Sequence, residues 1–161
     1  MGMPFHWGVF DQYVYPYYKR DLEEGRITRE EALEIVECFF IKCNELNKLR
    51  SWPDTEFFLG YQMFINLAIA GQTVDGKDAT NEVSHLCVEA CENVRLFTPS
   101  VSIKWFEGTS DAFMMKALKA AQRHQAASRH FIMIRHLSGR LSNMGIAEED
   151  RVNWVPDGCI E

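Results

Sequence analysis

The sequence of 161 residues has few of the features that mark membrane, secreted or nucleic-acid-binding proteins. Its longest apolar run, Phe64–Ala70, contains Asn66 and is far shorter than the ~20 residues that a membrane span needs. The first residues, MGMPFHWGVFDQY, lack the basic and apolar regions of a signal peptide. Lysine plus arginine number 17 against 23 acidic residues, a net charge of −6, which leaves no basic footprint for nucleic acid. These absences predict a cytoplasmic protein that binds neither membrane nor nucleic acid.

The cysteines have no spacing that forms a recognisable metal motif. The five cysteines are odd in number and include no Cys-x-x-Cys pair. Cys87 and Cys91 stand four apart with His85 nearby, but a zinc site needs about four ligands, and no second pair is spaced to supply them. We therefore predict no metal site and reduced thiols that serve as small buried apolar residues.

Hydrophobic residues make up 47% of the chain and charged residues 25%, as in an ordinary globular protein. The length of 161 residues corresponds to about one domain. Thr28 followed by Glu31 forms a capping box that predicts the start of a helix. The other helices predicted from apolar periodicity are Asp11–Glu24, Asn81–Leu96, Ala112–Gln125 and Leu137–Met144. The predicted strands are Phe64–Ala70, Val101–Phe106, His130–Ile134 and Asn153–Val155, and the predicted loops are Leu49–Thr55 and Gln72–Thr80.

The alternation of helices and strands predicts an α/β fold with a parallel sheet or barrel. The strand predicted at Asn153–Val155 has no helix after it. An unflanked strand leaves an open sheet edge, so we expect the chain to be part of something longer.

The sharpest chemical feature is the sequence Gly158-Cys159-Ile160-Glu161. If this segment is extended, Cys159 and Glu161 project from the same face and bring a sulfur and a carboxylate into one pocket. A nucleophilic thiolate needs a histidine or cation beside it, and a neighbouring glutamate acts against that. One-electron sulfur chemistry therefore fits better than thiolate chemistry. An accidental pairing and an unrelated thiol hydrolase are the alternatives.

Four segments, in order, resemble motifs of the glycyl radical enzymes of the pyruvate formate-lyase superfamily. Gly8–Tyr18 resembles the family's GRxDQYxYPYY stretch, and Asp21–Ala32 is similar to its following helix pair. Gly71–Glu82 resembles the GGQTPDGKDATNE loop, and Gly158–Glu161 resembles GCVE, the thiyl-radical loop of the dehydratase and lyase branch. The resemblance implies that residues 1–161 are a single segment of the family's ten-stranded α/β barrel, ending at the catalytic cysteine loop.

By this resemblance Cys159 carries a transient thiyl radical that takes a hydrogen atom from a small hydroxylated substrate. Glu161 is then the general base that deprotonates the hydroxyl, and water, amine or sulfite is eliminated. Ile160 stands where thioester-forming members have a second cysteine, which favours dehydratases of glycerol, propane-1,2-diol or hydroxyproline, choline lyase or sulfonate lyase. A formate C-acetyltransferase-like member, an arylacetate decarboxylase-like member and a non-catalytic remnant or interaction module are the alternatives.

Some residues depart from the family pattern. Val9 stands where the family usually has arginine. Phe5 and His6 precede it, in a segment that contributes to the substrate pocket in relatives, so both are candidate substrate-binding residues. An exposed histidine without a role is the alternative for His6. The basic segment 124–140 differs from the family's glycine-rich turn and apolar helix, and a basic surface is its alternative interpretation.

The resemblance also implies a cofactor and partners outside these residues. The family stores its radical on a glycine in an RVxGY-like loop, and none of the ten glycines has that context. We therefore expect this chain to bind no cofactor and to be inactive alone. In a parent protein, a separate activating enzyme with S-adenosylmethionine and an iron–sulfur cluster would install the radical. The implied setting is an anaerobic cytoplasm, and relatives often form homodimers.

Overall fold

The structure, a computed structural model, describes residues 5–46, 51–58, 65–123, 131–135 and 138–155. No helix in these ranges has the length and apolar character needed to cross a bilayer. The elements in chain order are β1 (Phe5–Val9), α1 (Phe10–Glu23), α2 (Arg29–Glu45), α3 (Trp52–Phe58), β2 (Ile65–Ala70), α4 (Glu82–Val94), β3 (Ser100–Trp105), α5 (Asp111–Arg123), β4 (Phe131–Arg135), α6 (Ser138–Asn143) and α7 (Glu148–Arg151).

The four strands form one parallel sheet in the order β1-β2-β3-β4. Each strand pairs with the next one along the chain, so every crossover moves one place in the same direction. Because crossovers between parallel strands are right-handed, this order sends the connecting helices to one face of the sheet. A barrel wall is built in this way, whereas a doubly wound sheet reverses direction. The predicted α/β fold with a parallel sheet is confirmed.

The helices cover that face through a continuous apolar core. Leu67 and Ile69 of β2 and Val101 and Ile103 of β3 are almost completely buried in it. Side chains alternate between the two faces of a strand, so these odd-numbered positions point towards the helices and the even-numbered ones away from them. The helical side of the core comprises Phe10, Tyr18, Ala32, Val36, Phe40, Val83, Leu86, Cys87, Val88, Ala90, Phe113, Met114, Ala117 and Ala120.

Three predictions about secondary structure are wrong. No strand is predicted before the first helix, yet Phe5–Val9 forms β1 because β2 offers it a pairing edge. Helix α3 begins at Trp52, inside the predicted loop Leu49–Thr55, since Pro53 is tolerated in a first helical turn. No strand forms at Asn153–Val155, where a turn follows α7.

Helix α2 begins with the predicted capping box. The Thr28 Oγ1 accepts a hydrogen bond from the Glu31 backbone N–H at 3.2 Å, and the Glu31 carboxylate accepts one from the Thr28 N–H at 2.8 Å. Loss of such a cap costs about 1 kcal/mol, so we expect Thr28→Ala to accelerate amide exchange in the first turn of α2 about fivefold. The measurement is hydrogen exchange by mass spectrometry, with Glu30→Gln in the same exposed turn as control. Equal exchange in the two variants would contradict the prediction.

Candidate functional site

Polar side chains occupy the face of the sheet that turns away from the helices. We call His6, Asn66, Ser102 and Lys104 the polar face. The register aligns His6 with Asn66, Ala68 with Ser102 and Ala70 with Lys104, so these positions share one side of the sheet. Asn66, Ser102 and Lys104 are each no more than 2% exposed. Because buried polar groups are costly unless they are partnered, such a row marks this face as a candidate site.

The predicted residue His6 lies on edge strand β1 and is half-buried. Its Nδ1 accepts a hydrogen bond from the Gly8 backbone N–H at 2.7 Å, which places the proton of the neutral ring on Nε2. The site therefore gains a side chain that can donate a hydrogen bond through Nε2. The other predicted residue, Phe5, is 45% exposed and packs edge-on against Trp7, with the ring centroids 4.7 Å apart. Substrate binding by either residue stays a prediction.

Asp11, the second residue of α1, is fully buried at the carboxyl end of β2. Its Oδ2 accepts hydrogen bonds from the Ala70 backbone N–H at 2.7 Å and from the Ser84 hydroxyl. Burial raises the pKa of Asp11 to about 6, although the two hydrogen bonds and the positive charge of Lys104 act to lower it. One carboxyl group thus joins α1, β2 and α4 at a single edge of the sheet.

Lys104 approaches the same edge from the polar face. It is 1% exposed, and its Nζ donates a hydrogen bond to the carbonyl oxygen of Val152, in the turn after α7. Burial lowers the pKa of Lys104 to about 8, while the negative charge of Asp11 raises it. Gly71, at φ +100°, gives the lysine room, since a Cβ there would lie 3.0 Å from the Lys104 Cβ. A buried ammonium group therefore connects the sheet to the segment after α7.

His6 and Lys104 occupy different depths of the polar face. His6 is aligned through Asn66 with Ser100, four positions before Lys104 on β3. At about 3.3 Å per residue, that offset is roughly 13 Å along the strands. His6 therefore lies away from the carboxyl edge of the sheet, whereas Lys104 and Asp11 lie at that edge.

The predicted loop Gln72–Thr80 has an exposed part and a part that is held by hydrogen bonds. Val74–Lys77 is exposed, as expected. Asp78, in contrast, accepts hydrogen bonds from the Thr80 backbone N–H and from the Ser110 N–H at the start of α5, both at 2.9 Å. The loop after β2 is thereby fastened to the loop after β3, which stiffens the carboxyl edge of the sheet.

The predicted catalytic pair, Cys159 and Glu161, lies outside the described residues. So does most of the divergent segment 124–140, apart from the strand β4 and the start of α6. The last described residue is Val155, four positions before Cys159. The described contact between Lys104 and Val152 therefore lies seven positions before the predicted radical-bearing sulfur.

The described cysteines confirm the prediction of buried thiols in part. Cys43 and Cys87 are buried, as predicted, and burial raises the pKa of both thiols. Burial also raises the pKa of Cys91. Cys38 is exposed on α2, so the prediction is wrong for that residue. Within the parts of the chain that the structure describes, no group of histidine, cysteine and acidic residues is arranged to hold a metal ion.

Comparison with known proteins matches residues 2–161 to the family described as pyruvate formate lyase-like. The probable dehydratase YbiW of Escherichia coli (strain K12) is 31% identical over 167 positions, covering 99% of this chain and 20% of that protein. A structure solved for 1,2-propanediol dehydration in Roseburia inulinivorans matches with a TM-score of 0.85 at 40% identity. The glycerol-bound, B12-independent glycerol dehydratase from Clostridium butyricum matches with a TM-score of 0.82 at 34% identity. Each structural match covers 94% of this chain and 19% of the other.

The chain thus spans about a fifth of the length of these relatives, which are glycyl radical enzymes. Its four parallel strands correspond to part of their barrel, as the resemblance of the sequence motifs implies. The family match covers nearly the whole chain, its fold agrees with that of the relatives, and the motifs occur in the family's order. The chain therefore belongs to the pyruvate formate lyase-like family of glycyl radical enzymes.

Proposed function

We propose that the protein carrying this chain is a glycyl radical dehydratase or lyase for a small substrate with a hydroxyl group beside the bond that breaks. The observation that carries the proposal is the pair Cys159 and Glu161, two positions apart, in a chain 40% identical to a structure solved for propanediol dehydration. Ile160 between them supports the dehydratase and lyase branch over the thioester-forming branch.

In the proposed reaction, the Cys159 sulfur radical takes a hydrogen atom from the carbon that bears the hydroxyl, leaving S–H and a carbon radical. The Glu161 carboxylate takes the hydroxyl proton, and the carbon–oxygen bond on the adjacent carbon breaks. The leaving hydroxide takes that proton from Glu161, which forms water and restores the carboxylate. The product radical then takes the hydrogen atom back from the Cys159 S–H, which restores the sulfur radical. The sum of these steps is the loss of one water molecule.

In this family a glycyl radical starts the reaction by taking a hydrogen atom from a cysteine. We propose that Cys159 is the cysteine of this chain that gives up that hydrogen atom. We propose that a separate activating enzyme, with S-adenosylmethionine and an iron–sulfur cluster, installs that radical in the same protein. The setting is an anaerobic cytoplasm, and assembly as a homodimer stays a prediction. The 161-residue chain by itself is expected to be inactive.

His6 is proposed to bind the substrate hydroxyl through its Nε2–H. The hydrogen bond from Gly8 to Nδ1 supports this role because it fixes the tautomer that donates from Nε2. We expect His6→Ala to raise KM about tenfold, since a hydrogen bond of about 1.4 kcal/mol is lost. His6→Gln keeps a donor near that position and should retain most of the affinity. Steady-state kinetics decide this, and equal KM values in all three proteins would overturn it.

The test of the proposed function is anaerobic turnover by the complete, activated protein. The substrates are propane-1,2-diol, glycerol, trans-4-hydroxyproline, choline and isethionate, each assayed for the aldehyde or other product of elimination. Conversion of at least one by elimination supports the proposal. Conversion of pyruvate and coenzyme A alone would place the protein in the thioester-forming branch instead. An arylacetate that loses carbon dioxide would identify a decarboxylase.

A further inference from the structure

We propose that Lys104 is a positioning residue that fixes the backbone leading into the Cys159 loop and thereby sets where the reactive sulfur lies. The inference rests on the proposed function for the role of Cys159. It concerns a different residue, on a strand 55 positions earlier in the chain, and a contact that the described structure contains.

The contact joins a rigid strand to a turn. The Lys104 Nζ donates to the carbonyl oxygen of Val152 across 48 positions of sequence. The strand that carries Lys104 is central, paired on both sides, and therefore rigid. Val152 lies in a turn rather than in a strand, so no sheet pairing holds it. The lysine thus links a fixed element to a segment that has no backbone partner in the sheet at that point.

The surroundings of Lys104 accommodate both its long side chain and its charge. Gly71 has no side chain beside Lys104, and a Cβ there would come within 3.0 Å of the Lys104 Cβ and 3.3 Å of its Cε. Asp11, fully buried at the same edge, interacts with the lysine charge. Burying an ammonium group is costly, and an apolar side chain would fill this part of the strand without that cost. The glycine at position 71 and the buried carboxyl group of Asp11 therefore both favour a lysine at position 104, whose ammonium group reaches Val152.

The anchored carbonyl is close in sequence to the predicted reactive sulfur, since Cys159 lies seven positions after Val152. A segment of that length spans at most about 25 Å. A shift of about 1 Å in a reacting group can cost about a hundredfold in rate. A loss of the anchor that moves the sulfur is therefore expected to appear in kcat.

The test compares Lys104→Met, Lys104→Arg and the surface control Lys119→Met in the complete protein. Methionine keeps the length and bulk but cannot donate, whereas arginine can. Hydrogen exchange by mass spectrometry is followed in residues 148–155, with β2 and β3 as internal references. We expect Lys104→Met to accelerate exchange in residues 148–155 about tenfold, with β2 and β3 within twofold of the native protein. We expect Lys104→Arg to restore most of the protection and Lys119→Met to change nothing.

A second readout follows the consequence for the sulfur. In the activated enzyme with propane-1,2-diol, Lys104→Met should lower kcat at least tenfold while KM stays within threefold and the glycyl radical signal is unchanged. Native exchange in residues 148–155 of Lys104→Met would overturn the proposal, as would faster exchange with an unaltered kcat. Turnover that persists in Cys159→Ala would contradict the proposed function and not the role of Lys104. The hydrogen-exchange measurement does not depend on the proposed function.

Discussion

We expect Cys159→Ala in the complete, activated protein to abolish turnover, lowering kcat by at least about a thousandfold, while the glycyl radical still forms. The reason is that an alanine side chain has no S–H bond that can give up and return a hydrogen atom. Electron paramagnetic resonance reports the glycyl radical, and product formation reports turnover, so the two steps are measured separately. Turnover that persists in Cys159→Ala would remove this residue from the mechanism.

Two further variants isolate the chemistry of the sulfur. Cys159→Ser preserves the size and polarity of the side chain, but its O–H bond is much stronger than S–H, so it should be as inactive as Cys159→Ala. Cys38→Ala removes an exposed thiol on α2 and should retain native activity. A Cys159→Ser protein with substantial activity would indicate that the residue acts by hydrogen bonding rather than by hydrogen-atom transfer.

We expect Asp11→Asn to remove a pH dependence from the stability of the fold. The native pKa of Asp11, about 6, lies above its ordinary value of 3.8, so the native state binds the proton more tightly than the unfolded chain. Stability due to the protonated carboxyl is therefore lost as pH rises from about 4 to about 6.5. We expect the free energy of unfolding of the unaltered protein to fall by about 2 kcal/mol across that range relative to Asp11→Asn.

Urea unfolding of the 161-residue chain, followed by tryptophan fluorescence, measures this difference. The asparagine side chain of the variant still offers an oxygen to the Ala70 N–H, so the variant preserves one native hydrogen bond. The control is Asp75→Asn, the same chemical change on an exposed loop residue. A constant difference between the unaltered chain and Asp11→Asn at all pH values would show that burial does not raise the pKa of this carboxyl.

Local sequence signals locate most of the helices and strands of the fold. The capping box at Thr28 and the apolar periodicity after it predict α2, and Asn81 caps α4 by accepting hydrogen bonds from the backbone N–H groups of Val83 and Ser84. These signals work because capping and amphipathic periodicity depend on neighbours within four residues. Strand β1 has no such signal, because five residues of an edge strand form only against β2, which lies some 60 positions later.

The anchoring residues of the site are not identifiable in the same way. A lysine within the apolar strand Ser100–Trp105 is the one local signal that could indicate Lys104, since strands buried on both faces seldom carry an ammonium group. Asp11 is the aspartate of the GRxDQYxYPYY motif, but its local pattern is that of an ordinary acidic residue in the first turn of a helix and does not show what it contacts. Its contacts with Ala70 and Ser84 span 59 and 73 positions.

The sequence by itself determined the family, the α/β class and the identity of Cys159 and Glu161 as the predicted reacting pair, because motifs and periodicities are properties of short segments. Only the tertiary structure decided which residues meet at the carboxyl edge of the sheet. Parallel pairing brings the ends of β1, β2 and β3 together, and there burial changes the proton affinities of Asp11 and Lys104. Burial and long-range pairing depend on the whole chain, and no window of neighbouring residues contains them.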